Sequence, residues 1–247
     1  IFVHGAICFG YSGRCFLSDF LAGRSANLGD CAQSCRWAYN VYVEENNNPG
    51  NLMPVEHDEK GTYIFSSKDL CLIKEIPEII DMGVDSLKIE GRMRSIYYLA
   101  TVVGSYRKII DGIYNNTLTS DILEKYVDVL SRVANRDTST QYLLHEAGLD
   151  DQYFTGRQEV SNQDFLGVVL DYDNKNKIVT LTQRNYFKPG DKVEMFGPNI
   201  ETFAFIIGDI YDEEGNKLDA ARHPTQIIKF KLNKKVYKDD IMRVDFK

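Results

Sequence analysis

The spacing of apolar residues changes character once along the 247-residue chain, near residue 160, and that change limits the fold more than any other feature. Beyond it lie the short β-prone runs FLGVVLDYD, KIVTLTQRN, DKVEMFG, TFAFIIGDIYD, QIIKFKL and DDIMRVDF. The stretches DNKNK, KPGD, DEEGNK and LNKKVYKDD between them are turn-like in composition. Six such runs with few helical candidates predict a small antiparallel β-barrel or sandwich over residues 160–247.

The earlier part mixes both periodicities. IFVHGAI reads as a strand, the glycines from Gly5 to Gly13 as a loop, and residues 16–22 as two helical turns. YNVYVEE alternates like a strand before the turn NNNPGN, so a β-hairpin excursion is expected within 39–67. Leu72, Ile73, Ile76, Ile79, Ile80 and Met82 have helical spacing, with Pro77 bending that helix or beginning its main body and Gly83 closing it. DSLKIEG reads as a buried strand, and residues 95–114 as a helix burying Tyr98, Val102, Tyr106 and Ile109. SDILEKYVDVLSRVA is a second amphipathic helix, with Ser120 as its expected cap. Helix, strand and helix with short connections indicate β/α layering. The expected fold class is α/β plus β: an α/β domain over 1–134, a linker over 135–159 and a β-domain over 160–247.

Hydrophobic content of 43% and charged content of 26% are globular values. No run approaches the ~20 apolar residues that cross a bilayer, and the start lacks the basic-then-apolar pattern of a signal peptide. A soluble cytoplasmic protein without a membrane partner is expected. The net charge of −7 disfavours a broad basic face but leaves room for local basic patches.

Cys8, Cys15, Cys31 and Cys35 fall in the first 35 residues, and Cys71 is the fifth cysteine. A disulfide framework does not suit so few cysteines, one of which would be unpaired. Structural zinc usually shows two tight pairs, and here only Cys31 and Cys35 form one. Thiolates gathered from several loops suit iron–sulfur ligation, which tolerates irregular spacing. From spacing alone, an iron–sulfur site, a zinc site and buried free thiols all stay open.

IFVHGAICFGYSGRCFLS resembles the signature of the peptidase U-32 family, the collagenase-like peptidases: Phe2, Gly5, Ala6, Ile7, Cys8, Gly13, Cys15, Leu17 and Ser18 fill its positions. Its opening Glu would precede Ile1. The resemblance continues in GDCAQSCRWAY, in SSKDLCLIKEIPEIIDMGVDSLKIEGRMRS and in LDAARHPTQIIKF, and so spans essentially the whole chain. It implies the later part of a TIM-barrel-like domain followed by a small C-terminal antiparallel β-barrel. The earlier barrel strands would form a missing N-terminal half. It also implies hydroxylation chemistry, as in relatives acting on RNA or ubiquinone. KIEGRMRS and the β-domain look most like the tRNA branch, which forms 5-hydroxyuridine at the wobble position and depends on prephenate.

The resemblance implies a 4Fe-4S cluster on Cys8, Cys15, Cys31 and Cys71, with Cys35 as alternative ligand and zinc as alternative metal. Candidate catalytic residues are His4, Glu90 and Arg92, and candidate substrate-binding residues are Arg36, Arg94 and Trp37. The arginines flank motif segments where barrel enzymes place their loops, and guanidinium groups bind carboxylates or phosphates bidentately. Trp37 and Tyr39 suit base stacking or core packing. Arg222 and His223 suit RNA contact or a packing turn, and His57 with Asp58 and Glu59 suits a solvated turn. Two other readings compete with RNA hydroxylation: a peptidase, as the family name says, and a non-catalytic RNA-binding or scaffold component of a modification complex.

Overall fold

The computed structural model describes residues 1–8, 10, 14–37, 39, 42–44, 46, 47, 49, 50, 52–54, 67–92, 94–134, 136–145, 151 and 164–245. The chain forms two compact units, residues 1–92 with 134–160 and residues 93–133 with 161–247.

The first unit is built on a four-stranded sheet of β1 (Phe2–Gly5), β4 (Asp69–Cys71), β5 (Lys88–Ile89) and β6 (Thr138–Ser139), in the order β5-β1-β4-β6. β1 runs parallel to β5, and β4 parallel to β6. β1 and β4 are antiparallel, with His4 opposite Cys71 and Gly5 opposite Leu70. A sector of a TIM barrel would be parallel throughout, so this sheet departs from that expectation. DSLKIEG pairs only at Lys88 and Ile89 on the edge strand β5, and Lys88 is exposed. The expected hairpin is present as β2 (Tyr42–Val43) against β3 (Met53–Pro54); residues 55–66 of that stretch, with His57, Asp58 and Glu59, lie outside the described residues.

Two short helices accompany this sheet, α1 (Leu17–Ala22) and α2 (Ile76–Asp81). α2 starts four residues later than its apolar spacing suggests. Pro77 lies in its first turn, where a missing N–H leaves no bond unmade. Gly83, at φ +80°, takes the left-handed position after the helix. Val3, Leu70, Leu72, Ile73, Ile76 and Ile79 are buried.

The second unit joins α3 (Ile96–Tyr114) and α4 (Ser120–Val133) to an eight-stranded antiparallel sheet. Its strands are β7 (Phe165–Asp173), β8 (Ile178–Gln183), β9 (Lys192–Gly197), β10 (Ile200–Ile206), β11 (Ile210–Tyr211), β12 (Lys217–Leu218), β13 (Ile227–Lys231) and β14 (Ile241–Val244). The sheet order is β10-β9-β14-β7-β8-β13-β11-β12. The run TFAFIIGDIYD is therefore two strands, and β12 adds one that the sequence runs did not include. Phe205 of β10 stacks on Phe230 of β13 with ring centroids 6.1 Å apart, although four strands separate them in the sheet. The sheet thus curls around one core that includes Val179, Leu181, Met195, Ile228 and Phe230.

On α3, Tyr98, Val102, Tyr106 and Ile109 are all buried, as their spacing requires. The α4 cap is one residue from the expected one: Thr119 Oγ1 accepts the Ile122 N–H at 3.3 Å, and Ser120 is already helical. The helix pair packs with the β-sheet of its own unit. Tyr97 stacks on Phe165 at 5.0 Å and meets Phe196 edge-on at 6.4 Å. Arg132 of α4 pairs with Asp164 at 2.7 Å. The sequence division at 135–159 groups these helices with the first domain along the chain, while the compact units group them by packing.

No helix among the described residues is long and apolar enough to cross a membrane.

Candidate functional site

Strand β1 delivers the first thiol, and Gly5 is the reason it can. Gly5 has φ +111°, and a Cβ there would stand 2.3 Å from the Glu90 carbonyl oxygen and 3.0 Å from the Glu90 Cβ. Only glycine allows this approach, which brings the ends of β1 and β5 together. The Glu90 N–H then donates to the His4 carbonyl at 2.9 Å.

The next residues carry Cys8, whose Sγ accepts the Gly10 N–H at 3.3 Å. Cys31 Sγ accepts the Gln33 N–H at the same distance. Cys8 and Cys15 meet around Gly10: a Cβ on that glycine would lie 3.5 Å from Cys8 Sγ and 3.6 Å from Cys15 Sγ.

Side chains hold these loops in place. Asn27 Oδ1 accepts the Cys15 N–H at 3.1 Å, and its Nδ2 donates to the Cys15 carbonyl at 2.9 Å. Ser18, the last residue of the signature, is buried on α1 and accepts the Ala32 N–H at 2.9 Å. A 3-10 turn at Ser34–Arg36 carries Cys35, entered through Gln33 at φ +53°. Arg36 anchors that turn: one terminal nitrogen donates to Asp69 on β4 at 2.9 Å, and the other to the Ile7 carbonyl at 2.8 Å. Both charged side chains are nearly buried, at 4% and 5% exposure.

The electrostatics show which thiols are neighbours. Burial pushes the Cys35 thiol up; Arg36 pulls it down, while Cys8, Cys31 and Cys15 push it further up. Beside Cys31, Arg24 pairs with Asp30 at 2.6 Å. That bond holds the Asp30 carboxyl below the usual range, and Arg92 adds to the effect. The Arg92 guanidinium lies along Gly29, 3.5 Å from where a Cβ would sit. Four thiols and two exposed or half-exposed arginines therefore share one region of the first unit. Among the described residues, no three His, Cys, Asp or Glu side chains are grouped as metal ligands. The donor set suits a thiolate-bound cluster by its chemistry, without being closed around one.

Other expected residues lie at varied distances from this chemistry. His4 is buried on β1, opposite Cys71 across the ladder. Glu90 uses Oε1 to accept the Arg92 N–H at 2.9 Å. Arg36, expected to bind substrate, has its guanidinium committed to Asp69 and Ile7. Trp37 remains 38% exposed. The Tyr39 hydroxyl donates to the Ser34 carbonyl at 2.5 Å. Arg94 belongs to the second unit, with its guanidinium 5.2 Å from the Tyr98 ring centroid. Arg222 is held bidentately by Asp219, three residues away, at 2.6 and 2.7 Å, and His223 is exposed. The sequence reading missed Arg24, Asn27, Asp30 and Asp69, whose partners lie too far along the chain or carry no local signature.

Residues 1–152 match the family described as Peptidase family U32, and residues 161–243 match the Peptidase family U32 C-terminal domain. The chain is similar to tRNA hydroxylation protein P1 of Bacillus subtilis, at 48% identity over 98% of this chain and 57% of that protein. It is similar to tRNA hydroxylation protein P of Escherichia coli at 33% identity, over 80% of this chain and 51% of that protein. The chain thus spans about half the length of these curated relatives. The crystal structure of the C-terminal domain of a U32-family protein from Geobacillus thermoleovorans is 52% identical, covering 34% of this chain and 93% of that one with a TM-score of 0.33. Two family matches that leave few residues uncovered make the assignment plain: the chain belongs to peptidase family U32.

Proposed function

We propose that this chain is the cysteine-bearing part of a cytoplasmic enzyme that hydroxylates tRNA, forming 5-hydroxyuridine at the wobble position. The observation that carries this reading is the 48% identity, sustained over 98% of the chain, to a protein named for tRNA hydroxylation. The full activity belongs to a protein longer than the span matched here.

In this reading Cys8, Cys15 and Cys31 hold a 4Fe-4S cluster together with a fourth thiolate. Cys71 has a claim from its place opposite His4, on the strand beside the signature loop. Cys35 has a claim from its electrostatic coupling to all three other thiols. The N–H···S bonds at Cys8 and Cys31 support ligation, since such bonds tune cluster potentials. A bound cluster would supply redox or Lewis-acid chemistry. The chain's own residues bind and orient around it. Arg92 presents its guanidinium group to an anion, either a carboxylate of prephenate or an RNA phosphate, while Arg24 is held by Asp30. Glu90 fixes the backbone of Arg92, and Trp37 offers a ring on which a base can stack.

The test is anaerobic purification of the full-length protein, with iron and acid-labile sulfide measured in the native form and in each single Cys→Ser variant. Iron and sulfide in equal amounts are expected, lost on substitution of Cys8, Cys15, Cys31 and one of Cys35 or Cys71. Iron content indifferent to all five substitutions contradicts the ligation. Cleavage of a defined peptide, abolished by one Cys→Ser change, would support the peptidase reading instead.

A further inference from the structure

One end of the second unit's sheet collects six lysines. The β7–β8 turn carries Lys175 and Lys177, and the end of β13 with the loop to β14 carries Lys231, Lys234, Lys235 and Lys238. The two segments are adjacent: Lys231 stands opposite Ile178, the Leu232 N–H donates to the Lys177 carbonyl at 2.9 Å, and the Tyr172 hydroxyl donates to the Leu232 carbonyl at 2.9 Å. No acidic residue occurs from Ile227 to Lys238, and of the two aspartates that follow directly Asp239 is exposed and Asp240 buried. Lys175, Lys231, Lys234, Lys235 and Lys238 are exposed, and none pairs with a carboxylate among the described residues. Lys177 Nζ bonds only a neutral partner among them, Asn174 Oδ1 at 3.0 Å. Asp173, the acid bordering the turn, is occupied by the N–H groups of Lys175 and Asn176 and by the Asn176 amide.

Two of these cations sit on aromatic rings. Lys234 Nζ is 4.1 Å from the Phe203 centroid, and Lys235 Nζ is 4.6 Å from the Tyr237 centroid. Cation–π contact restrains a flexible side chain while leaving the ammonium open to a second partner. Tyr237 is itself 38% exposed. Unpaired lysines beside an accessible ring match what a polyanion with stackable bases requires. A chain of net charge −7 has no general affinity for such a polymer, so a concentrated basic end is a local feature.

We propose that this end of the second unit is an RNA-docking surface that holds the tRNA backbone by its phosphates. The identification of the RNA as tRNA rests on the proposed hydroxylation; the surface itself does not.

The experiment measures binding of an unmodified tRNA transcript to the purified full-length protein as a function of salt. It compares the Lys234→Glu/Lys235→Glu variant with Lys125→Glu/Lys188→Glu, which changes net charge equally at exposed positions elsewhere. The first variant is expected to bind at least about tenfold more weakly, with the salt slope reduced by roughly 1 per lysine removed. The second is expected to stay near the native value. Equal loss in both, or loss in neither, overturns the proposal. Because binding is read without turnover, a strain that keeps 5-hydroxyuridine after deletion of the gene would sink the hydroxylation reading and leave this result standing.

Discussion

Arg36 shows how a residue flagged for substrate can be turned to structure. Its position after the C-x3-C pair suggested an open guanidinium, but the chain brings Asp69, 33 residues away, into a buried pair with it. No local pattern announces such a partner. Removing one member of a buried pair leaves an uncompensated charge, so Arg36→Met should cost about 3–5 kcal/mol in urea denaturation. Arg36→Met/Asp69→Leu should recover most of that loss. Gly5 was legible as a motif residue, while its reason was not: the Glu90 carbonyl occupies the space a Cβ would need. Gly5→Ala should destabilise by roughly 3 kcal/mol or more, measured the same way. Asn27 carried no signal at all, yet its amide closes two bonds on the Cys15 backbone. Asn27→Ala should lower iron retention in the anaerobically purified protein and cost about 1–3 kcal/mol. An unchanged iron content would separate Asn27 from the thiol site.

At the scale of elements, regular periodicity was readable and long-range pairing was not. The 3.6-residue spacing of Tyr98, Val102, Tyr106 and Ile109 located α3 because one helix face must be buried wherever the helix docks. What it docks against was hidden: Tyr97, outside that apolar list, stacks on Phe165 and ties the helix to the β-sheet. The antiparallel pairing of β1 with β4 was equally invisible, since strand direction depends on a connection of more than sixty residues. Burial pushes the Tyr97 phenol up to about 12. An unfolded tyrosine ionises near pH 10, so above that pH the unfolded chain loses the proton first and stability falls until about pH 12. The loss should approach about 1.4 kcal/mol per pH unit. Tyr126, also raised by burial, contributes in the same direction. Tyr97→Phe should flatten this alkaline limb in denaturation curves taken across that range, and an unaltered limb would assign it to other groups.

For the whole molecule, the sequence supports two domains and the structure two compact units, with the helix pair joining the β-sheet. The net negative charge and the basic end of the second unit are compatible because six lysines are gathered at one place on a chain of net charge −7. The thiols occupy the first unit and the lysines the second. That division places the proposed chemistry in one unit and the proposed hold on RNA in the other. The most direct test of the central claim is nucleoside mass spectrometry of tRNA from a strain lacking the full-length gene, complemented with either the native gene or its Cys31→Ser variant. Wobble 5-hydroxyuridine and its derivatives should vanish on deletion, return with the native gene and stay absent with the variant. Undiminished 5-hydroxyuridine in the deletion strain, or full restoration by Cys31→Ser, would contradict it.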